Sequence, residues 1–217
     1  MNYIGSKYSL IDFIDYGISG ISGYKDGDSY IFADLFAGTG VVGSTYKAKG
    51  CFVIANDIQY YSYVLNKHYI ENIPPLSSDL LRELNSLKPI DGFIFNSFCP
   101  GSNSGRNYFT DENGKKCDAI RTYLENLRNT CKITDNDYFY YLASLINSID
   151  KYANTASVYA AFLKHIKKTA AKKFELSLLP IIPGQKGKVF NEDANVLIKK
   201  ISGDVLYLDP PYNTRQY

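Results

Sequence analysis

Residues 29–57 read SYIFADLFAGTGVVGSTYKAKGCFVIAND. SYIFADLF is short, apolar and rich in aromatic and β-branched residues, which predicts a buried strand. Glycines then break the run, and a helix follows that Gly50 closes. CFVIAND is a second buried strand. Strand, glycine turn, helix and strand, in this order, form the unit of a parallel α/β sheet.

Downstream, IQYYSYVLNKHYIEN reads as a helix. Upstream, MNYIGSKYSLIDFIDYGI is a short loop leading into a helix, with Leu10, Ile11, Ile14 and Ile18 at helical spacing. SGISGYKDGD then reads as a connection. From about Pro74 to Gly187 the α/β rhythm stops. NSFCPGSNSGRNYFTDENGKK is loop-rich and polar, and candidate helices follow it. The rhythm resumes at KVFNEDANVLIKKISGDVLYLDPPY as strand, helix, turn and strand. Residues 1–72 with 188–217 therefore form one α/β domain, and 73–187 form an insertion.

Composition bounds the rest. The chain has 217 residues, 45% hydrophobic and 21% charged, which is globular rather than disordered. No run of apolar residues is long enough to span a membrane. Met1 to Lys7 lacks the pattern of a signal peptide. Four dispersed cysteines and two histidines form no metal-binding spacing, so no metal is expected. The cysteines read as reduced thiols of a cytoplasmic protein. Net charge is +2, and the whole positive excess lies in residues 71–190. Lys164, Lys167, Lys168, Lys172 and Lys173 cluster in KHIKKTAAKK, either as a phosphate-binding segment or as a solvated helix face.

Chemistry sits in two motifs. Gly38-Thr39-Gly40-Val41-Val42-Gly43 is a complete GxGxxG after a predicted strand. It gives a tight turn, close backbone approach and a helix N-terminus aimed at a ligand. Asp57 ends the next strand, where an acidic residue holds ribose hydroxyls. Together they point to a nucleoside-bearing cofactor, a dinucleotide or S-adenosylmethionine; a glycine turn without ligand is the alternative. Asp34, at the end of the first strand, suits a cation and repels a pyrophosphate. The second motif is Asp209-Pro210-Pro211-Tyr212, after the apolar VLYL. Its prolines remove two amide donors. The Asp209 carboxylate and Pro210 carbonyl remain as acceptors beside a flat Tyr212 ring, a set that suits a planar group bearing NH2.

FADLFAGTG, AND and LDPPY, in this order, resemble motifs I, II and IV of the amino-methyltransferases that use S-adenosylmethionine. YIGSKYSLIDFI is similar to motif X of the Dam-like adenine-specific DNA methyltransferases, which also carry a long segment between motifs II and IV. GRNYFTDENGKKCDAIR is similar to a stretch in a subgroup of restriction-modification methylases. The resemblance spans residues 1–217. It implies a Rossmann-like S-adenosylmethionine-dependent methyltransferase sheet, partial here, with an inserted and mostly helical target-recognition region. It implies methyl transfer from S-adenosylmethionine to the exocyclic amine of adenine in double-stranded DNA, within a restriction-modification system.

Carried over residue by residue, the resemblance gives Tyr3 and Lys7 a place beside the methionine and adenine parts of the cofactor. Asp34 to Gly40, with Phe36 and Gly38, wrap the methionine moiety; Asp57 takes the ribose hydroxyls. Asp193 contacts the adenine, and Asp209 lies near both cofactor and target. Packing alone is the other reading of Tyr3, a surface position that of Lys7, and a helix N-cap that of Asp193. Catalysis falls to Asp209, Pro210, Pro211 and Tyr212. Accepting the amine's N–H bonds localises its lone pair for attack on the sulfonium methyl, with the flipped base stacked on Tyr212. Arg106, Lys115, Lys116 and the Lys164–Lys173 cluster are candidates for phosphates, and Asn103, Arg106 and Asn107 for base contacts.

In this family further strands follow LDPPY. By analogy the four strands order as 3-2-1-4, leaving VLYLD as an apolar edge. The expectation is a truncated chain, weakly active or dead alone, with a missing C-terminal half or a partner chain as the candidate complement. A non-catalytic DNA- or partner-binding fragment is the reading from a different class. Asp209 argues against methylases of protein glutamine or cytosine, whose motif usually begins with Asn or Ser. A nicotinamide-dependent dehydrogenase would leave DPPY and IGSKY unexplained.

Overall fold

The computed structural model describes residues 7–211 apart from 26, 75, 157–162 and 164. In chain order the elements are α1 (Ile11–Ser22), β1 (Ile31–Asp34), α2 (Val41–Ala48), β2 (Phe52–Asn56), α3 (Tyr60–Asn66), α4 (Leu80–Ser86), α5 (Phe93–Phe98), α6 (Asp111–Asn129), α7 (Asp135–Tyr152), β3 (Lys188–Phe190), α8 (Ala194–Leu197) and β4 (Val205–Tyr207). A 3-10 turn, Tyr8–Leu10, precedes α1, and a π-helical turn, Lys67–Glu71, continues α3. The chain forms two compact units. Leu76–Leu179 belongs to a helical unit; Tyr3–Pro75 with Pro180–Tyr217 is a sheet unit.

The sheet is α/β and wholly parallel, in the order β3-β2-β1-β4 expected from the sequence. Register fixes the site. Asp34 at the end of β1 lies opposite Ala55 on β2 and Tyr207 on β4. Asp57 and Asp209 follow two residues beyond those partners, so all three carboxylates sit at or just past the carboxyl ends of adjacent strands. The core under this edge is Phe32, Val42, Tyr46, Val53, Ala55, Ile70 and Val189, with Ile11, Ile14 and Ile18 of α1 packed against it. Phe32 stacks on Tyr46 at 4.0 Å between ring centroids. Among the described residues β4 pairs with β1 alone, and its Leu206 is 48% exposed.

α1 runs through Ser19–Ser22, where the sequence reading placed a connection. The Ser22 hydroxyl donates to the Ile18 carbonyl, and the helix stops only at Gly23, whose φ is 76°. Residues 180–187, read from sequence as insertion, group with the sheet unit. The reason is local: the Gly187 N–H donates to the Ile70 carbonyl, and the His68 ring pairs with the Pro180 carbonyl at 3.0 Å. Beside them, buried Lys47 donates to the carbonyls of Tyr69 and Asn72, and burial pulls its ammonium down to about 8.

In the helical unit, α6 begins at Asp111, inside the stretch read from sequence as loop. The Thr110 side chain accepts from the Asn113 N–H, and Asp111 and Glu112 occupy the first turn, which is a favourable helix start. Gly114 is there for packing, because a Cβ would lie 2.2 Å from the Cys99 sulfur. α6 also serves its neighbours. Asp118 accepts the N–H groups of Ile94 and Phe95 at the start of α5, and Lys116 donates to the Asn85 and Leu87 carbonyls at the end of α4. Asn113 and Asn85 bind the backbone of residues 170–176 in place of sheet partners. Cys51, Cys99 and Cys117 are buried free thiols, and Cys131 is exposed. Among the described residues no helix is long and apolar enough to cross a membrane.

Candidate active site

The glycine turn joins β1 to α2. Gly38 and Gly40 have φ of 52° and 80°, a region that side chains disfavour. Gly40 is the N-cap of α2. Asp57 braces the turn: its Oδ2 accepts the Gly38 N–H and its Oδ1 the Gln59 N–H, each at 2.8 Å. The partnered oxygens keep further lone pairs for a ligand hydroxyl. Burial pushes the Asp57 carboxyl above its usual range, against those two backbone bonds.

Asp34 is 1% exposed. Burial pushes its carboxyl up to about 7, opposed by the Phe36 N–H and reinforced by the charges of Asp57 and Asp209. Tyr207 is pushed up to about 12 by burial and by the charges of Asp209 and Asp34. The structure thus brings Asp34, Phe36, Gly38, Gly40, Asp57 and Asp209 to one sheet edge. The Lys7 ammonium reaches this edge too, 2.6 Å from Asp209 Oδ2. Pro210 and Pro211 are exposed beyond it. Asp193 caps α8, accepting the Asn195 N–H at 2.7 Å. Tyr3 and Tyr212 lie outside the described residues.

Sequence reasoning missed three asparagines. Asn66 donates to the Gly38 and Ser62 carbonyls. Asn56 donates to the Leu35 and Glu192 carbonyls and accepts from the Glu192 N–H, tying strand ends together. Asn191 donates to the Asp57 and Ile58 carbonyls. Their signal is an amide inside or just after an apolar run; Asn56 and Asn66 are 1% exposed, while Asn191 is exposed. Lys116 is corrected as a phosphate candidate, because it is 7% exposed with its ammonium on two carbonyls. Lys115 pairs with Asp91 at 2.7 Å, while Arg106, Lys168, Lys172 and Lys173 are exposed. No helix forms over the described residues of 163–173, so the solvated helix face is not found there.

A glycine turn, a carboxylate that braces it from the end of the next strand and a third carboxylate before two prolines thus meet at one end of the sheet. Comparison with known proteins makes the class specific. Residues 3–217 match the model of the D12 class N6 adenine-specific DNA methyltransferases, and the chain belongs to that family. It is 50% identical to the Type II methyltransferase M.NlaIII of Neisseria lactamica over 220 residues, covering 100% of this chain and 66% of that protein. It is 39% identical to the Type II methyltransferase M.FokI of Planomicrobium okeanokoites over its full length, covering 35% of that protein. It is 36% identical to the Type II methyltransferase M.CviAII of Paramecium bursaria Chlorella virus 1, covering 65% of it. The chain therefore spans about two thirds of some of these relatives and about one third of M.FokI. No solved structure matches the chain.

Proposed function

We propose that this chain takes part in transferring a methyl group from S-adenosylmethionine to the exocyclic amine of adenine in double-stranded DNA, within a cytoplasmic restriction-modification system. The observation that carries this is the meeting of Asp34, Asp57 and Asp209 around one glycine turn. That donor set fits a cationic nucleoside. The buried Asp34 carboxyl faces positive charge with advantage, and Asp57 is the acceptor for ribose hydroxyls. When bound, S-adenosylmethionine supplies an electrophilic methyl on sulfonium.

The chain's own groups do the rest. Asp209 and the Pro210 carbonyl accept N–H bonds from the target amine and localise its lone pair. Pro210 and Pro211 bring no amide donor to compete for those acceptors. Asp34 to Gly40 hold the methionine moiety, and Lys7 and Asp193 flank the cofactor. Tyr3 beside the cofactor and Tyr212 under the flipped base keep the roles the family resemblance implies. The 73–187 region reads DNA, with Arg106, Lys168, Lys172 and Lys173 as phosphate contacts.

The test is transfer of labelled methyl from S-adenosylmethionine to unmethylated genomic DNA, with calorimetric titration of the cofactor. Cofactor binding is expected for the native chain and is lost in Asp57→Ala, and transfer, weak at most for this chain alone, is lost in Asp209→Ala. DNA binding without transfer, even after adding the remaining third of a longer relative as a separate polypeptide, favours a non-catalytic binding module instead.

A further inference from the structure

Asp209 is not alone at the sheet edge. The Lys7 ammonium lies 2.6 Å from its Oδ2, with side-chain exposures of 18% and 29%. Among the described residues this is the one salt bridge that reaches Asp34, Asp57 or Asp209. The pair joins residues 202 positions apart, from Lys7 to Asp209. Asp34 has Asp57 and Asp209 as charged neighbours, and Tyr207 lies on the same edge. Among the described residues this end of the sheet thus holds three carboxyl groups and one paired ammonium.

This creates a problem for the chemistry. A cationic cofactor entering the crevice is attracted to every carboxylate in it. If Asp209 closed on the sulfonium or the cofactor's ammonium, it would be lost as acceptor for the target amine. A lysine already seated on Asp209 prevents that, because the carboxylate's charge is met before the cofactor arrives. The lysine still leaves lone pairs on the carboxylate for the amine's N–H. The charge-assisted bond from Lys7 also restrains the carboxylate's orientation.

We propose that Lys7 is a positioning residue: the resident counter-ion of Asp209, which keeps that carboxylate off the cationic cofactor and reserves it for the target amine. The inference rests on the methyl-transfer reading of the site. It differs from a direct cofactor contact, because Lys7 acts through Asp209.

The two roles separate by ligand charge. S-adenosylhomocysteine has the cofactor's groups without the sulfonium charge. Calorimetric titration of both ligands into the full chain gives the ratio of their affinities. In Lys7→Met the uncovered Asp209 draws the sulfonium form, so the ratio is expected to rise in favour of S-adenosylmethionine by at least about threefold. Lys7→Arg keeps the native ratio. Asp209→Asn lowers it, and the double variant Lys7→Met with Asp209→Asn returns towards the native value. In methyl transfer, Lys7→Met lowers kcat while the KM for S-adenosylmethionine stays level or falls. Equal weakening of both ligands in Lys7→Met, or an unchanged ratio with no compensation in the double variant, overturns the proposal. Should Lys7→Met not fold, Lys7→Arg and Asp209→Asn carry the comparison. If the native chain binds neither ligand, it is the methyl-transfer reading that fails.

Discussion

Asn66 donates its side-chain amide to the Gly38 carbonyl at 3.0 Å, while its Oδ1 lies 2.9 Å from where a Cβ on Gly40 would stand. One side chain thus holds the glycine turn from below and forbids a side chain at its exit. Gly40→Ala meets that oxygen and a φ of 80° together. The expected loss is about 1–3 kcal/mol of stability. Cofactor affinity should fall by roughly tenfold or more, since a 1 Å shift at a binding turn is costly. Urea unfolding and calorimetric titration check both. A Gly40→Ala chain with native affinity would show that the turn tolerates the side chain.

Asp34 makes stability depend on pH with a definite sign. Its carboxyl is raised from 3.8 to about 7 in the folded chain. The folded state therefore binds more protons than the unfolded one between those values. The stabilisation is fully present below about pH 4 and is lost as pH rises through about 7. Asp34→Asn removes this dependence. Relative to the variant, the native chain should lose on the order of a few kcal/mol between pH 4 and pH 8. The difference between the two melting curves isolates Asp34, because His68 and Lys47 are present in both. Parallel curves would contradict the raised carboxyl.

Cys131 closes α6 in the left-handed conformation, with φ of 54°. Its N–H donates to the Arg128 carbonyl and the Lys132 N–H to the Leu127 carbonyl. This is the double bond pattern in which glycine is preferred, as Gly50 shows after α2 with φ of 97°. Cys131→Gly should stabilise the chain by about 0.5–1 kcal/mol, the relief of strain minus the entropy of glycine. Thermal melting under reducing conditions measures it.

Asp118 is 5% exposed and bonds two N–H groups at the start of α5. Asp118→Ala leaves both donors buried without an acceptor. The expected cost is about 2–4 kcal/mol. Asp118→Asn keeps one acceptor and should cost less. Protection of the Ile94 and Phe95 amides against hydrogen exchange should collapse in the alanine variant first.

The sheet unit was legible because each of its signals is local. SYIFADLF, CFVIAND, KVF and VLYLD are short apolar runs bounded by turn residues, and all four are strands in the expected order. Asp34 and Asp57 were legible as strand-end carboxylates beside glycines. The helical unit was less so. Gly114 inside α6 looks like a helix breaker until the Cys99 sulfur against it is seen. The Lys7–Asp209 pair joins the two ends of the chain, and no local pattern announces such a contact. Lys116 reads as a surface charge in sequence, yet it spends its ammonium on helix-end carbonyls.

The four thiols carry a practical consequence. Cys51, Cys99 and Cys117 are buried, and burial pushes each of them towards the protonated, unreactive form. Cys131 stands exposed at the turn after α6. A maleimide dye at neutral pH therefore finds one address per native molecule. The probe would sit in the helical unit, far along the sequence from the crevice residues, and could follow DNA engagement by fluorescence without an engineered cysteine.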